Sequence, residues 1–300
     1  MNILPKTGGP VLVTGGTGQL ALALSRHGGA RICRVGRPEF DFDHAATLDA
    51  VFEKAAPSAV INAAAWTAVD LAETEPEAAA RANATGPAHL ARLCATRNIP
   101  FFHVSTDYVF DGEKGAPYVE TDPISPCTVY GRTKAEGEQA VLAAWSRSLI
   151  LRTAWVYSAD GRNFVKTMLN AGLQRPSLRV VGDQVGNPTC ADDLAKAILS
   201  CLAIIEKDGW EDHYGGIFHA CAQGETSWYG LATAALEQAA RHGRPMPEIT
   251  AIRTQDWPTP AKRPMDSRME CTKLSEVFNV TLPRWEDSLI NVVDQLCSAT

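Results

Sequence analysis

Short apolar runs of β character alternate with longer segments of helical period through the first half of the chain, and no other feature constrains the fold as much. The runs fall at residues 10–14, 30–35, 59–62, 100–105 and 149–152, with helical segments at 18–27, 45–55, 75–97 and 129–145. Each intervening segment is too long for a hairpin, so successive strands run parallel, joined by right-handed helical crossovers. The expected fold class is α/β, a doubly wound parallel sheet with helices on both faces. Pro87 falls inside the third helical segment, where its missing N–H predicts a kink or a split. After Arg152 the alternation loosens into loops at 158–163 and 182–189 and a proline-dense stretch at 257–264, the pattern of a smaller, loop-rich C-terminal lobe.

Composition excludes several classes. Hydrophobic residues at 45% and charged residues at 21% suit a packed globular chain. A net charge of −6 with scattered basic residues offers no stripe to neutralise a phosphate backbone, so no nucleic-acid partner is expected. No apolar stretch is long enough to span a membrane. The first residues show no basic, apolar and small-residue leader pattern, so a cytoplasmic location is expected. Eight cysteines form no Cys-x-x-Cys or Cys/His cluster; they read as reduced packing residues, and no metal is expected.

The first strand, Val11-Leu12-Val13-Thr14, runs directly into Gly15-Gly16-Thr17-Gly18-Gln19-Leu20-Ala21. A strand, a tight glycine turn and a helix start allow a pyrophosphate to settle on free amides at the positive helix end. Glycine also closes ordinary strand–helix turns, but the position in a first βαβ unit favours a Rossmann-type dinucleotide site. No carboxylate ends the second strand to hold an NAD ribose. Arg34 and Arg37 stand there, suited to a 2′-phosphate, so NADPH is the expected cofactor, with NADH possible; both arginines are otherwise solvated surface charges. The expected dinucleotide-binding domain covers residues 1–155 with a return segment at about 182–222. Residues 156–181 and 223–300 make up the expected substrate-binding lobe.

Tyr130-Gly131-Arg132-Thr133-Lys134 places a phenol and an ammonium one helical turn apart. A nearby ammonium favours the phenolate and is expected to draw the tyrosine pKa down, suiting proton transfer to a carbonyl under reduction. In isolation the spacing is unremarkable for exposed residues. Upstream, Ser105-Thr106-Asp107 ends a predicted strand at the sheet edge where ligands bind; Thr106 is placed to bond a substrate carbonyl, although strand-end turns use such residues too. His103 is assigned to packing.

The segments VTGGTGQLA, VINAAAWTAVDLAE, HVSTDYVFDG, YGRTKAEGE, LRTAWVYS, DQVGNPTCADDLA, TSWYGLA and PTPAKRPMDSRM run in order from Val13 to Met269. Together they resemble the extended short-chain dehydrogenase/reductases, and within them the branch acting on dTDP-linked 4-keto sugars. The resemblance implies Tyr130 as proton donor, Lys134 as its electrostatic partner and Thr106 as the third catalytic member. It implies a cofactor lining of Gly15, Thr17, Gly18, Gln19, Leu20, Arg37, Ala63, Ala64, Ala65 and Thr67, with Tyr130 and Lys134, and adenine-side contacts at Asp41 and Phe42. Thr106, Asp107 and Trp155 are the implied sugar-nucleotide contacts, with Arg263 and Arg268 on the diphosphate; Trp155 is alternatively a core aromatic.

The implied reaction is NAD(P)H-dependent reduction of C4 of dTDP-4-dehydro-L-rhamnose to dTDP-L-rhamnose, by a monomer or homodimer. Two alternatives stand beside it. One is a non-catalytic, NADP-binding regulatory subunit such as the beta subunit of methionine adenosyltransferase, which has no need of Tyr130, Lys134 and Thr106. The other is a reductase or epimerase of another nucleotide sugar. Some relatives form Mg²⁺-bridged dimers using a carboxylate in the first helix. Residues 20–26 (LALALSR) hold none, and Asp192 and Asp193 read as helix caps.

Overall fold

The computed structural model describes residues 8–298; residues 1–7 and 299–300, the outer ends of the expected domain ranges, lie outside the described residues. Five strands come first: β1 (Val11–Thr14), β2 (Ile32–Arg34), β3 (Ala59–Asn62), β4 (Phe101–Thr106) and β5 (Ser148–Thr153). With the strand Gly216–His219 they form one parallel sheet in the spatial order β2, β1, β3, β4, β5, 216–219. The winding direction reverses between β1 and β3, so a crevice opens beyond their carboxyl ends.

The sheet is covered on both faces, and every residue of β1 and β3 is buried. Alternate residues of β1 serve different layers. Val11 and Val13 pack with Leu24, Ile198 and Leu202 of helices Gln19–Gly28 and Ala191–Asp208. Leu12 packs with Phe52, Leu90 and Val141 of helices Ala45–Ala55, Gly86–Arg97 and Val129–Ala144. The doubly wound α/β architecture is thus the one expected.

Around Pro87 the expected split does not occur: Pro76–Ala80, a π-turn at Arg81–Thr85 and Gly86–Arg97 follow one another without leaving helical backbone, the extra width of the π-turn accommodating the proline. Pro87 has no N–H for the carbonyl of Asn83 four residues back. That carbonyl lies against Gly137, where a Cβ would stand 2.0 Å from its oxygen. The bare backbone of Gly137 therefore lets helix Val129–Ala144, which carries Tyr130 and Lys134, sit directly on the π-turn.

A second core joins helices Phe164–Gln174, Trp228–Ala240 and Trp285–Ser298 through Leu169, Leu231, Leu236, Leu289 and Val293. Residues 182–222 return helix Ala191–Asp208 and strand Gly216–His219 to the sheet. Leu274, Phe278 and Leu282, within the range expected for the lobe, also pack into the sheet's core. No helix among the described residues is long and apolar enough to cross a membrane.

Candidate active site

A cleft of about 1020 Å³ lies at the carboxyl edge of the sheet. One wall is the turn after β1, with Gly15, Thr17, Gly18, Gln19 and Leu20, backed by Ala63, Ala64, Ala65 and Thr67 after β3. Gly15 has φ +105°, and a Cβ there would stand 3.0 Å from the Ala63 carbonyl, so the two loops meet as closely as bare backbone allows. Helix Gln19–Gly28 starts at this wall with no acidic residue in its first turn, leaving its positive end open to an anion. This cradle fits a dinucleotide.

Arg34 and Arg37 also line the cleft. Arg34 donates to the Gly16 carbonyl at 3.1 Å. Arg37, 65% exposed in its side chain, is held by Asp41 and Asp43 at 2.9 Å each. Phe42 lines the cleft and Asp41 does not, its carboxylate being taken up by Arg37.

Thr128 caps helix Val129–Ala144 by accepting from the Gly131 amide at 2.9 Å, which places Tyr130 in the first turn and Lys134 one turn later, both on the cleft. Lys134 is buried and donates to the Val104 carbonyl at 2.6 Å. Desolvation brings its ammonium down to about 8, against the opposing pull of Glu138. The Tyr130 hydroxyl meets the Thr106 side chain, yet burial pushes it up to about 12. The expected lowering by Lys134 is therefore absent: the loss of water around a phenolate outweighs the opposing hydrogen bond from Thr106. Tyr130 keeps its proton at neutral pH, the state from which a donor starts.

Thr106 donates to Asp107 Oδ1 at 3.0 Å and accepts from the Tyr108 amide at 3.2 Å. Burial raises the Asp107 carboxyl to about 6. Its Oδ2 is buried without a well-formed hydrogen bond, the Ser267 hydroxyl acting on the carboxyl only to lower it against burial, and is an acceptor suited to a ligand hydroxyl. Ser105 forms no turn; it donates to Glu138 at 2.5 Å, and Glu138 also takes the Arg152 guanidinium at 2.7 and 2.9 Å.

Trp155 is a wall of the cleft, stacked on Trp228 with ring centroids 3.5 Å apart and planes 7° from parallel. Its φ of +48° is unusual for a bulky residue and turns the indole out of the sheet's core. Trp228, Tyr108 and Arg162 line the cleft without having been singled out from sequence; TSWYGLA, which contains Trp228, was the available signal.

Arg263 and Arg268 are not among the residues lining the cleft. Arg263 grips Asp70 at 2.8 Å through both terminal nitrogens, and Arg268 holds Asp266 at 2.7 Å and Glu225 at 2.8 Å. Guanidinium groups take the nearest carboxylates, and Asp70 is 193 positions away in the chain. Asp192 and Asp193 lie in the first turn of helix Ala191–Asp208, but neither is its N-cap. Cys190 holds that position, while Asp192 binds Arg26 and His27 and Asp193 binds Lys196. Among the described residues, no group of three or more His, Cys, Asp or Glu is arranged to hold a metal ion.

A family model described as the RmlD substrate binding domain matches residues 9–298. The dTDP-4-dehydrorhamnose reductase of Sinorhizobium fredii is 42% identical over 283 residues, covering 94% of this chain and 95% of that protein. Its namesake from Salmonella typhimurium is 36% identical, covering 97% and 99%. Among solved structures, the dTDP-4-dehydrorhamnose reductase of Clostridium acetobutylicum superposes with a TM-score of 0.87 at 35% identity, covering 96% of this chain and 99% of that one. The Bacillus anthracis reductase, crystallised in complex with NADP, gives 0.88 at 29% identity, covering 96% and 100%. The chain belongs to the dTDP-4-dehydrorhamnose reductase family.

Proposed function

We propose that this protein reduces the C4 keto group of dTDP-4-dehydro-L-rhamnose to dTDP-L-rhamnose, with NADPH as reductant and Tyr130 as proton donor. The observation that carries the reading is that one cleft holds both the glycine cradle at residues 15–20 and the Thr106, Tyr130 and Lys134 cluster. When bound, the reduced nicotinamide supplies the hydride. The relatives' shared name and the NADP bound to the Bacillus anthracis protein support the substrate and the cofactor.

Gly15, Thr17, Gly18, Gln19 and Leu20 seat the pyrophosphate, and Ala63, Ala64, Ala65 and Thr67 run along the cofactor. Arg34 and Arg37 stand where a ribose-binding carboxylate would select NADH, and so favour the 2′-phosphate of NADPH. Tyr130 delivers its proton to the alkoxide forming at C4. Thr106, turning its hydroxyl proton from Asp107 to that oxygen, and the Lys134 ammonium stabilise the charge left behind. A well-placed donor of this kind lowers the barrier by on the order of 3 kcal/mol. Asp107 and Trp155 hold the sugar nucleotide; Arg263 and Arg268 reach its diphosphate by exchanging their present carboxylates. We assign the activity to a monomer or homodimer in the cytoplasm.

Oxidation of NADPH, followed by absorbance with dTDP-4-dehydrorhamnose, tests the reading. Tyr130→Phe is expected to bind NADPH normally and lose about 10²- to 10⁴-fold in kcat. Turnover within a few-fold of the unsubstituted protein overturns the role of Tyr130. An unsubstituted protein that binds NADPH but reduces no keto sugar overturns the activity.

A further inference from the structure

Behind Lys134 runs a chain of buried polar side chains that the mechanism above does not use. Thr14 ends β1, Asn62 ends β3 and His103 lies in β4, each wholly buried. With the Asn62 amide oriented as it is, their donors and acceptors fix the arrangement of protons. The Ala64 amide donates to Thr14 Oγ1 at 3.2 Å, and the Thr14 hydroxyl gives its own proton to Asn62 Oδ1 at 2.5 Å. With its oxygen pinned, Asn62 turns its NH₂ towards His103 Nδ1, 2.9 Å away. That ring nitrogen must accept, so a neutral His103 carries its proton on Nε2. Burial, with the Lys134 charge beside it, holds the ring well below its usual pKa and therefore neutral.

Nε2 lies 3.5 Å from Lys134 Nζ, which donates on its other side to the Val104 carbonyl. An amine accepts from the imidazole N–H, whereas an ammonium meets it donor to donor. We propose that His103, locked into one tautomer by Thr14 and Asn62, is a positioning residue that loosens the proton on Lys134 and thereby sets the upper pH limit of catalysis. The proposal rests on the reading of Tyr130 and Lys134 as the proton-donating pair.

Other groups around Lys134 are accounted for. Glu138, one turn further along the same helix, favours the ammonium, but its charge is matched by Arg152 and it also accepts from Ser105. Tyr130 lies one turn back, with Asp107 beyond Thr106 on the cleft side. From β4, His103 and the Val104 carbonyl face the lysine nitrogen.

Two measurements on the full chain test this. In protein labelled with ¹⁵N-histidine, the His103 signal, identified by its loss in His103→Phe, is expected to show a protonated Nε2 and a bare Nδ1. His219, whose Nδ1 faces the Glu270 carbonyl at 3.0 Å, provides the opposite tautomer as an internal reference. A protonated Nδ1 on His103 overturns the proposal whatever the protein reduces. In the second measurement kcat is followed against pH with keto sugar and NADPH. His103→Phe removes the opposing N–H and is expected to move the alkaline limb up by about one pH unit with little change in KM. Thr14→Val keeps the side-chain shape, frees the Asn62 amide to turn over and moves the limb the same way. A limb that stays put or moves down in the folded variants overturns the proposal. A protein that shows the Nε2–H tautomer but no turnover before substitution overturns the functional reading instead, and with it the catalytic consequence of the wiring.

Discussion

Replacing Glu138 by glutamine breaks the ion pair that ties the helix of Tyr130 and Lys134 to β5. Glu138 and Arg152 are each 2% exposed and meet through two contacts, at 2.7 and 2.9 Å. Glutamine keeps the volume but turns one acceptor into a donor, so an N–H faces an N–H and the guanidinium loses its counter-charge. Arg152 has few ways to recover, since its Nη1 is already buried without a partner, the Phe110 ring lies 5.0 Å away, and His219 and Lys273 nearby offer it no counter-charge. Removing one member of a buried pair costs about 3–5 kcal/mol. An unfolding entropy of about 2.1 cal/mol/K per residue gives ~0.6 kcal/mol/K for this chain of 300 residues. The expected loss in Tm is therefore about 5–8 °C. Replacing both partners by methionine removes the stranded charge and is expected to recover much of that loss. Calorimetry of both variants at neutral pH decides the matter. A fall of less than about 2 °C for Glu138→Gln, or a double variant less stable than the single one, refutes the reasoning.

Titrations of cofactor binding check the end of β2: Arg37→Ala is expected to weaken NADPH about tenfold more than NADH, and equal losses remove the 2′-phosphate assignment. Asp107 is raised from 3.8 to about 6 in the folded protein, chiefly by burial, so the stability contributed by its bound proton is full below about pH 4 and lost as pH rises through 6. Relative to Asp107→Asn, the unsubstituted protein should lose up to ~3 kcal/mol across that window; superimposable denaturation series from pH 4 to 7 contradict this. Asp70→Asn releases Arg263 from its carboxylate and is expected to lower KM for the nucleotide sugar several-fold. An unchanged or higher KM strikes Arg263 from the diphosphate ligands.

Local features could be read directly from the chain. The helix expected at 45–55 is observed over those residues, and the strand expected at 100–105 is observed one residue later, because apolar period follows from backbone geometry. Pro87 interrupts the regular α-helical bonding and leaves a π-turn before it, because a missing N–H acts within one turn. The spacing of Tyr130 and Lys134 likewise puts both on the cleft without help from distant residues. The same reasoning assigned His103 to packing, and it is buried; its contacts with Asn62, 41 positions away, and Lys134, 31 positions away, leave no periodic trace.

Order along the chain was thus enough for the parallel sheet, the glycine turn, the placement of Tyr130 and Lys134 on one cleft and the family likeness, since each depends on neighbours within a few turns or on an ordered set of motifs. Tertiary packing alone decided that Tyr130 holds its proton more tightly than a free phenol, that Arg263 is spoken for by Asp70, and that Trp155 stacks on Trp228. Those outcomes depend on how much water is excluded and on which groups far apart in sequence come within about 3 Å, a distance at which charge and hydrogen bonding act through space.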